Sequence, residues 1–299
     1  MSYNVEGLPP PARFGRAASL ARIGHRLADL RHEGRQPNVV LLQEAFAAPA
    51  KGIAGQGGYR YVADGPSAAA TNLAPPPPDS LEFVRGASHL AGEDDGKWAD
   101  SGLRILSDYP IVKIRRMAFP AWACAGYDCL ANKGVLIAWI AVPGSRRPVA
   151  FIDTHLNSRA ASGVAKSRAD RAYAYQVSVL RRFVDANVGD DSPAILGGDF
   201  NSGKAAVRWA NLKGGVLARG RNSLIDAFGR RGVIPAMDRS DARAILKRAK
   251  DWLYYRGGGS QALALTTFTV PFGARHGRAM LSDHMGYEVR YRFGRAIPL

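Results

Sequence analysis

Residues 194–201 read Ala194-Ile195-Leu196-Gly197-Gly198-Asp199-Phe200-Asn201. Three apolar residues make a short buried strand, and the strand runs through two glycines into a carboxylate and an amide. The same design recurs on either side. Val39-Val40-Leu41-Leu42 runs into Gln43-Glu44, and Phe151-Ile152-Asp153 runs into Thr154-His155-Leu156-Asn157. Leu281-Ser282-Asp283-His284 stands just before the last alternating strand, in which Tyr287, Val289, Tyr291 and Phe293 alternate with Glu288, Arg290 and Arg292. Any one polar strand end is an ordinary solvated terminus. Four in one chain point to a site on the rim of a sheet, where rigid strands hold carboxylates, amides and imidazoles in place.

Between these ends lie further buried strands, Leu103 to Leu106, Val135 to Val142 and Val149 to Asp153, and helices with one apolar face. Leu20, Ile23, Leu27 and Leu30 recur at helical spacing and predict a helix over 16–32. Ser167 with Asp170 reads as a capping pair for a helix carrying Tyr173, Val177, Leu180 and Val184 on one side, and Ser240 reads as the cap of a helix over 241–250. Residues 64–80, with the polyproline run Pro75 to Pro78, and the Gly- and Asp-rich residues 86–100 read as surface insertions. No repeat or linker divides the chain, which predicts one domain over 1–299 with layered α/β architecture.

Composition limits the partners. The 299 residues include 41 Lys+Arg and 25 Asp+Glu, a net charge of +16, and most of the basic residues are Arg. Arginine's planar fork suits phosphate, so a polyanion or a membrane surface is an attractive partner; GC-rich coding would inflate Arg and Ala equally well. The longest apolar run, Gly134 to Val142, is nine residues, against the roughly 20 that a membrane span needs. Cys124 and Cys129 flank four residues that include a glycine. They either close a disulfide loop or remain two thiols in a reduced compartment, and two thiols alone cannot complete a zinc site. The disulfide reading goes with a secreted or periplasmic setting, which is favoured over a cytoplasmic one. The N-terminus shows no signal peptide and reaches Pro9-Pro10-Pro11 at once, yet a strand ending at Asn4 has almost no upstream half. This points to a natural chain that begins earlier. His25, His32, His89 and His276 fall in helix or loop contexts and read as surface residues, and Asp94-Asp95 as a solvated loop.

An ordered set of short motifs carries a resemblance. Asn4-Val5-Glu6-Gly7-Leu8, Leu42-Gln43-Glu44, Ser101-Gly102-Leu103 with Ser107-Asp108-Tyr109-Pro110-Ile111, Asn132-Lys133-Gly134-Val135, Asp153-Thr154-His155-Leu156, Gly198-Asp199-Phe200-Asn201, Asp251-Trp252 and Ser282-Asp283-His284 follow the order of the endonuclease/exonuclease/phosphatase, or DNase I-like, superfamily. Each is weak alone, but together they span residues 4–284. The chain therefore resembles that superfamily over nearly its whole length. The resemblance implies a four-layer α/β sandwich, two packed mixed β-sheets flanked by helices; a monomer is expected.

The resemblance also implies a site. Glu44, with Asn4 beside it and Asp283 assisting, would hold Mg²⁺, or Mn²⁺ in its place, a hard ion suited to oxygen ligands. His284 would be the general base on water, oriented by Asp251; Asp226 is the nearest competitor for that part. Asp199 would position the water and Asn201 would donate to the phosphoryl oxygen. His155 would stabilise the phosphorane or protonate the leaving group. Lys133 would pair with a substrate phosphate oxygen, and Asp153 would support its loop.

The resemblance implies a phosphodiester substrate, either a phospholipid head group or a nucleic acid. Trp-x-Gly-Asp-x-Asn-Tyr of the inositol 5-phosphatase branch is replaced here by Leu196 to Ser202, and Lys250-Asp251-Trp252 only approximates the AP-endonuclease element. Asp128 to Val135 is similar to the corresponding segment of the sphingomyelinase branch. Residues 263–278 match the place where bacterial sphingomyelinases carry a membrane-meeting aromatic hairpin. On that reading Phe268 and Phe272 stand exposed at its tip, with Arg275 and Arg278 on lipid phosphates; an ordinary hairpin packed on the core is the alternative. The +16 charge fits a DNase-like nuclease more directly.

Overall fold

Strand β2 (Val39–Gln43) is buried along all five residues because both of its faces are apolar. Val39 and Leu41 belong to the large core between two sheets. Val40 and Leu42 belong to a second core with Leu20, Ile23, Leu27 and Leu30 of helix α1 (Ala17–His32). The computed structural model describes residues 1–213, 215–259, 261–274 and 279–295. In the first sheet β1 (Ser2–Asn4) pairs parallel with β2, and the sheet is completed by β3 (Tyr61–Asp64), β4 (Arg104–Ser107), β11 (Gln261–Phe272) and β12 (Gly286–Arg295), in the order β11-β12-β1-β2-β4-β3. The second sheet contains β5 (Ile111–Ala118), β6 (Gly134–Ile140), β7 (Val149–His155), β8 (Ala194–Asp199), β9 (Arg221–Asn222) and β10 (Asp251–Arg256), in the order β5-β6-β7-β8-β10-β9.

Each sheet has one parallel pair, and each pair is made by a β-helix-β crossover. Helix α1 joins β1 to β2, and the 22-residue helix Lys166–Asn187 joins β7 to β8. Tyr173, Val177, Leu180 and Val184 of that helix pack into the large core. Helices outside two packed sheets give the four-layer sandwich. The glycines of the deciding stretch allow close approach. A Cβ on Gly197 would fall 2.8 Å from Leu41 of the facing sheet, and one on Gly198, at φ +142°, would overlap the Thr154 carbonyl. Across the same gap Gln43 Nε2 donates to Asp153 Oδ1 at 2.6 Å, tying β2 to β7 just below the site.

Some local expectations are corrected. The helix after residue 165 has no side-chain cap: Asp170 is drawn away from Ser167 to accept from Arg159 and Arg208. Ser240 lies inside the helix Arg239–Arg248, with Asp238 at the cap position. The hairpin aromatics are buried, Phe268 fully and Phe272 to 94%, its exposure being 6%. Phe268 stacks on Tyr287 of β12 and Phe272 on Tyr3 of β1, with ring centroids 5.0 and 4.9 Å apart. The strand therefore presents these rings to the cores rather than to a membrane. Arg275, His276 and Arg278 lie outside the described residues. Cys124 and Cys129 form a disulfide. Among the described residues no helix is long and apolar enough to cross a membrane.

Candidate active site

Register assembles the site. Asn4 lies opposite Gln43, so the residue after Gln43, Glu44, emerges beside Asn4. In the second sheet His155 lies opposite Asp199, and on the other side of β8 Asp251 lies opposite Asp199. The chain turns sharply at two of these ends: Glu44 and Asn201 have φ of +56° and +48°.

Asn4 joins the two halves. Its Nδ2 donates to Glu44 Oε1 at 2.9 Å and to Asp199 Oδ2 at 3.2 Å, while its Oδ1 accepts the Glu6 backbone N–H at 3.0 Å. Since a backbone N–H can only donate, the amide orientation is settled. Asn4 thus links the two carboxylates through its amide N–H groups. Burial lifts the Glu44 carboxyl above its ordinary range, opposed by the Asn4 hydrogen bond and the Lys133 charge. A cation beside Glu44 would oppose that shift as well.

His284 is gripped from both nitrogens. Nδ1 lies 2.8 Å from each Asp251 carboxylate oxygen, and Nε2 lies 3.5 Å from Asp199 Oδ2. Burial alone would lower its pKa, but the Asp251 and Asp199 carboxylates overcome this and raise it to about 9. The competitor Asp226 is engaged elsewhere, by Arg221, Arg230 and the Tyr255 hydroxyl.

On the other side of Asp199, Lys133 Nζ and Asn201 Nδ2 each lie 3.2 Å from His155 Nε2. Both neighbours are N–H donors, so Nε2 is the acceptor. Burial, then the Lys133 charge, push this imidazole down to about 3, and its Nδ1 has no partner. Lys133 is held in turn by Asp128 at 2.5 Å.

The structure therefore brings Asn4, Glu44, Lys133, His155, Asp199, Asn201, Asp251 and His284 to one rim. Asp283 behaves differently. Its half-exposed carboxylate pairs with Arg248 at 3.3 Å and reaches His284 Nε2 at 4.0 Å, and its backbone N–H donates to Glu6. His25, His32 and His89 are exposed, as expected. Two supporting residues escape sequence reading. Glu6, between Arg13, Arg16 and Asp283, holds the loop before His284. Arg208, wholly buried, donates to Asp170 and to the carbonyls of Asn157 and Asn201, so it braces both loops that follow His155 and Asp199. A lone arginine inside the apolar stretch 206–212 was the available signal.

The donor set fits a hard divalent cation. Glu44 and Asp199 are acidic groups linked by one amide, and Asp199, Asp251 and His284 form a buried cluster within metal-binding reach of one another. No thiolate is available, because both cysteines are bonded.

Solved structures similar to this chain share its fold. Beta toxin from Staphylococcus aureus aligns with a TM-score of 0.61 at 19% identity, covering 97% of this chain and 98% of its own. Sphingomyelinase C from Streptomyces griseocarneus aligns at 0.59 and 20% identity, covering 96% and 97%. D. rerio TDP2, solved with a single-strand DNA product, aligns at 0.60 and 16% identity, covering 97% of both chains. No curated relative matches the chain in sequence. The family profile matches residues 1–284, and with the two-sheet sandwich and its convergent strand ends it shows that the chain belongs to the Endonuclease/Exonuclease/phosphatase family.

Proposed function

We propose that this protein is a Mg²⁺-dependent phosphodiesterase, with Mn²⁺ able to substitute, that cleaves a P–O bond of a phospholipid by attack of water. The observation that carries the chemistry is the convergence of the Glu44–Asn4–Asp199 cluster, the His284–Asp251 pair and the Lys133–Asn201–His155 group on one rim. Glu44 and Asp199 would hold the cation, which when bound neutralises charge on a phosphoryl oxygen and on the leaving oxygen. Asp251 fixes His284 with Nδ1 toward itself, leaving Nε2 to take a proton from water as the water oxygen attacks phosphorus. Asp199, facing His284 Nε2, positions that water. Lys133 and Asn201 offer N–H donors to the phosphoryl oxygens. His155 accepts from both and spaces these donors beside the phosphoryl group, where it would stabilise the phosphorane.

The lipid reading is supported by the likeness of residues 128–135 to the sphingomyelinase segment and by sphingomyelinase C among the similar folds. It no longer draws on Phe268 and Phe272. Cleavage of a nucleic acid is the second reading, favoured by the net charge of +16 and by TDP2 with its DNA product. Parallel assays with Mg²⁺ on sphingomyelin vesicles and on plasmid DNA decide between them. Lipid cleavage without nicking is expected, and nicking without lipid cleavage overturns the lipid reading.

A further inference from the structure

The insertion over 86–100 is not a loose loop. Glu93 accepts from Arg168 at 2.7–3.0 Å and from the backbone N–H groups of Ser88 and Gly126 at 2.6 and 2.7 Å. At the other end the N–H groups of Trp98 and Ala99 donate to the Leu130 carbonyl at 2.7 and 3.1 Å. Both ends are thus fastened to the disulfide loop 124–130, and that loop leads directly into Lys133 of the site.

On this anchored frame the apolar side chains point outward. Leu90 is 94% exposed, Trp98 71% and Tyr127 54%. Tyr127 hydroxyl donates to the Leu90 carbonyl at 3.5 Å, and Trp98 Nε1 donates to the Asp95 carbonyl at 3.1 Å. The indole N–H is therefore satisfied within its own loop, and the apolar part of the ring faces out. Keeping such groups in water is unfavourable, at about 1.5–3 kcal/mol per large side chain, so a rigid frame that displays them points to a surface that covers them.

Charge selects the surface. Asp94 and Asp95 are exposed between Leu90 and Trp98, while the Lys97 ammonium turns inward to the Cys129 carbonyl at 2.6 Å. His89 Nδ1 lies 3.4 Å from Asp94. Two carboxylates oppose a polyphosphate here. They suit a surface whose outermost groups are quaternary ammonium cations, which the Trp98 and Tyr127 rings also attract.

We infer that Leu90, Trp98 and Tyr127 form a docking surface for a zwitterionic phosphocholine bilayer, seating the adjacent catalytic rim on the membrane in place of Phe268 and Phe272. The inference rests on the lipid reading above for its substrate but on separate residues for its evidence.

The test is flotation of the full chain with phosphatidylcholine–sphingomyelin vesicles, in EDTA so that no lipid is turned over, and in about 0.5 M NaCl to screen non-specific charge adsorption. The wild type should float with the vesicles, and its tryptophan emission should shift to the blue. The double variant Leu90→Ser/Trp98→Ser should bind roughly tenfold more weakly or worse. It should keep the wild-type Tm and wild-type turnover of bis(p-nitrophenyl) phosphate with Mg²⁺. Wild-type flotation by the double variant, or no flotation of the wild type, overturns the docking surface. A monomeric short-chain phosphocholine lipid separates the two claims. Its cleavage combined with patch-independent flotation sinks the docking surface alone; patch-dependent flotation without cleavage of any phosphocholine lipid sinks the proposed function alone.

Discussion

His284 has to give up a proton that two carboxylates help it keep. Its pKa is raised to about 9 by Asp251 and Asp199 against burial, so activity should rise with pH as the ring is deprotonated and fall on the acid side. Replacing Asp251 with Asn removes the larger of the two holding charges. The acid limb of the kcat profile should then move to lower pH, while kcat itself drops by on the order of 10²–10⁴ because the ring loses its orientation. An unmoved acid limb would show that His284 is not the titrating base. Glu44 is tested through the metal. Glu44→Gln should raise the Mg²⁺ concentration needed for half-maximal activity by roughly tenfold or more, since a neutral amide is a poorer ligand for a hard cation. Full wild-type activity in excess EDTA would refute the metal role of Glu44 altogether.

At the scale of elements, Phe268 and Phe272 of β11 are packing residues. Phe268 is wholly buried on Tyr287, so Phe268→Ala should cost about 3–5 kcal/mol by leaving a cavity, read as a fall in Tm. Phe272→Ala should depress activity on vesicles and on a soluble phosphodiester together, because its ring packs on Tyr3, next to Asn4. Selective loss on vesicles would restore the hairpin as the membrane contact. The buried Arg208 works between elements, bracing the loops after β7 and β8. Arg208→Met should destabilise the fold by about 3 kcal/mol, leaving buried carbonyls and part of the Asp170 charge unpaired; chemical denaturation measures it.

For the molecule as a whole, the +16 charge and the exposed apolar patch of Leu90, Trp98 and Tyr127 make opposite demands on salt. Adsorption to DNA through several phosphates should weaken by on the order of 10³ or more between 50 and 200 mM salt. Hydrolysis of zwitterionic vesicles should change little over that range, because apolar contact is not screened. Measuring both against salt shows which surface the charge serves.

The apolar periodicity and the polar strand ends were legible because each is local. A buried strand must be apolar on both faces, and a site on a sheet rim must use residues just past a strand. Hence 16–32 reads as a helix and folds as Ala17–His32, and the motif order from Asn4 to His284 carries the family. What the sequence could not settle depends on partners distant along the chain. Asp251 and Asp226 look alike as carboxylates within apolar stretches; only the placement of β10 beside β8 puts one against His284, while the other lies in the helix Ser223–Phe228 among arginines. Asn4 reads as a residue beside Glu44, but only the pairing of β1 with β2 and the packing of the two sheets set its amide between Glu44 and Asp199. Phe268 and Phe272 alternate in a way that suits either a membrane tip or a core. Strand pairing with β12, and the stacking of Tyr287 and Tyr3 beneath them, turned both rings inward. The exposed Leu90 and Trp98 belong to an insertion that carries no periodicity, so only the anchoring of Glu93 and Leu130 shows that their display is built into the fold.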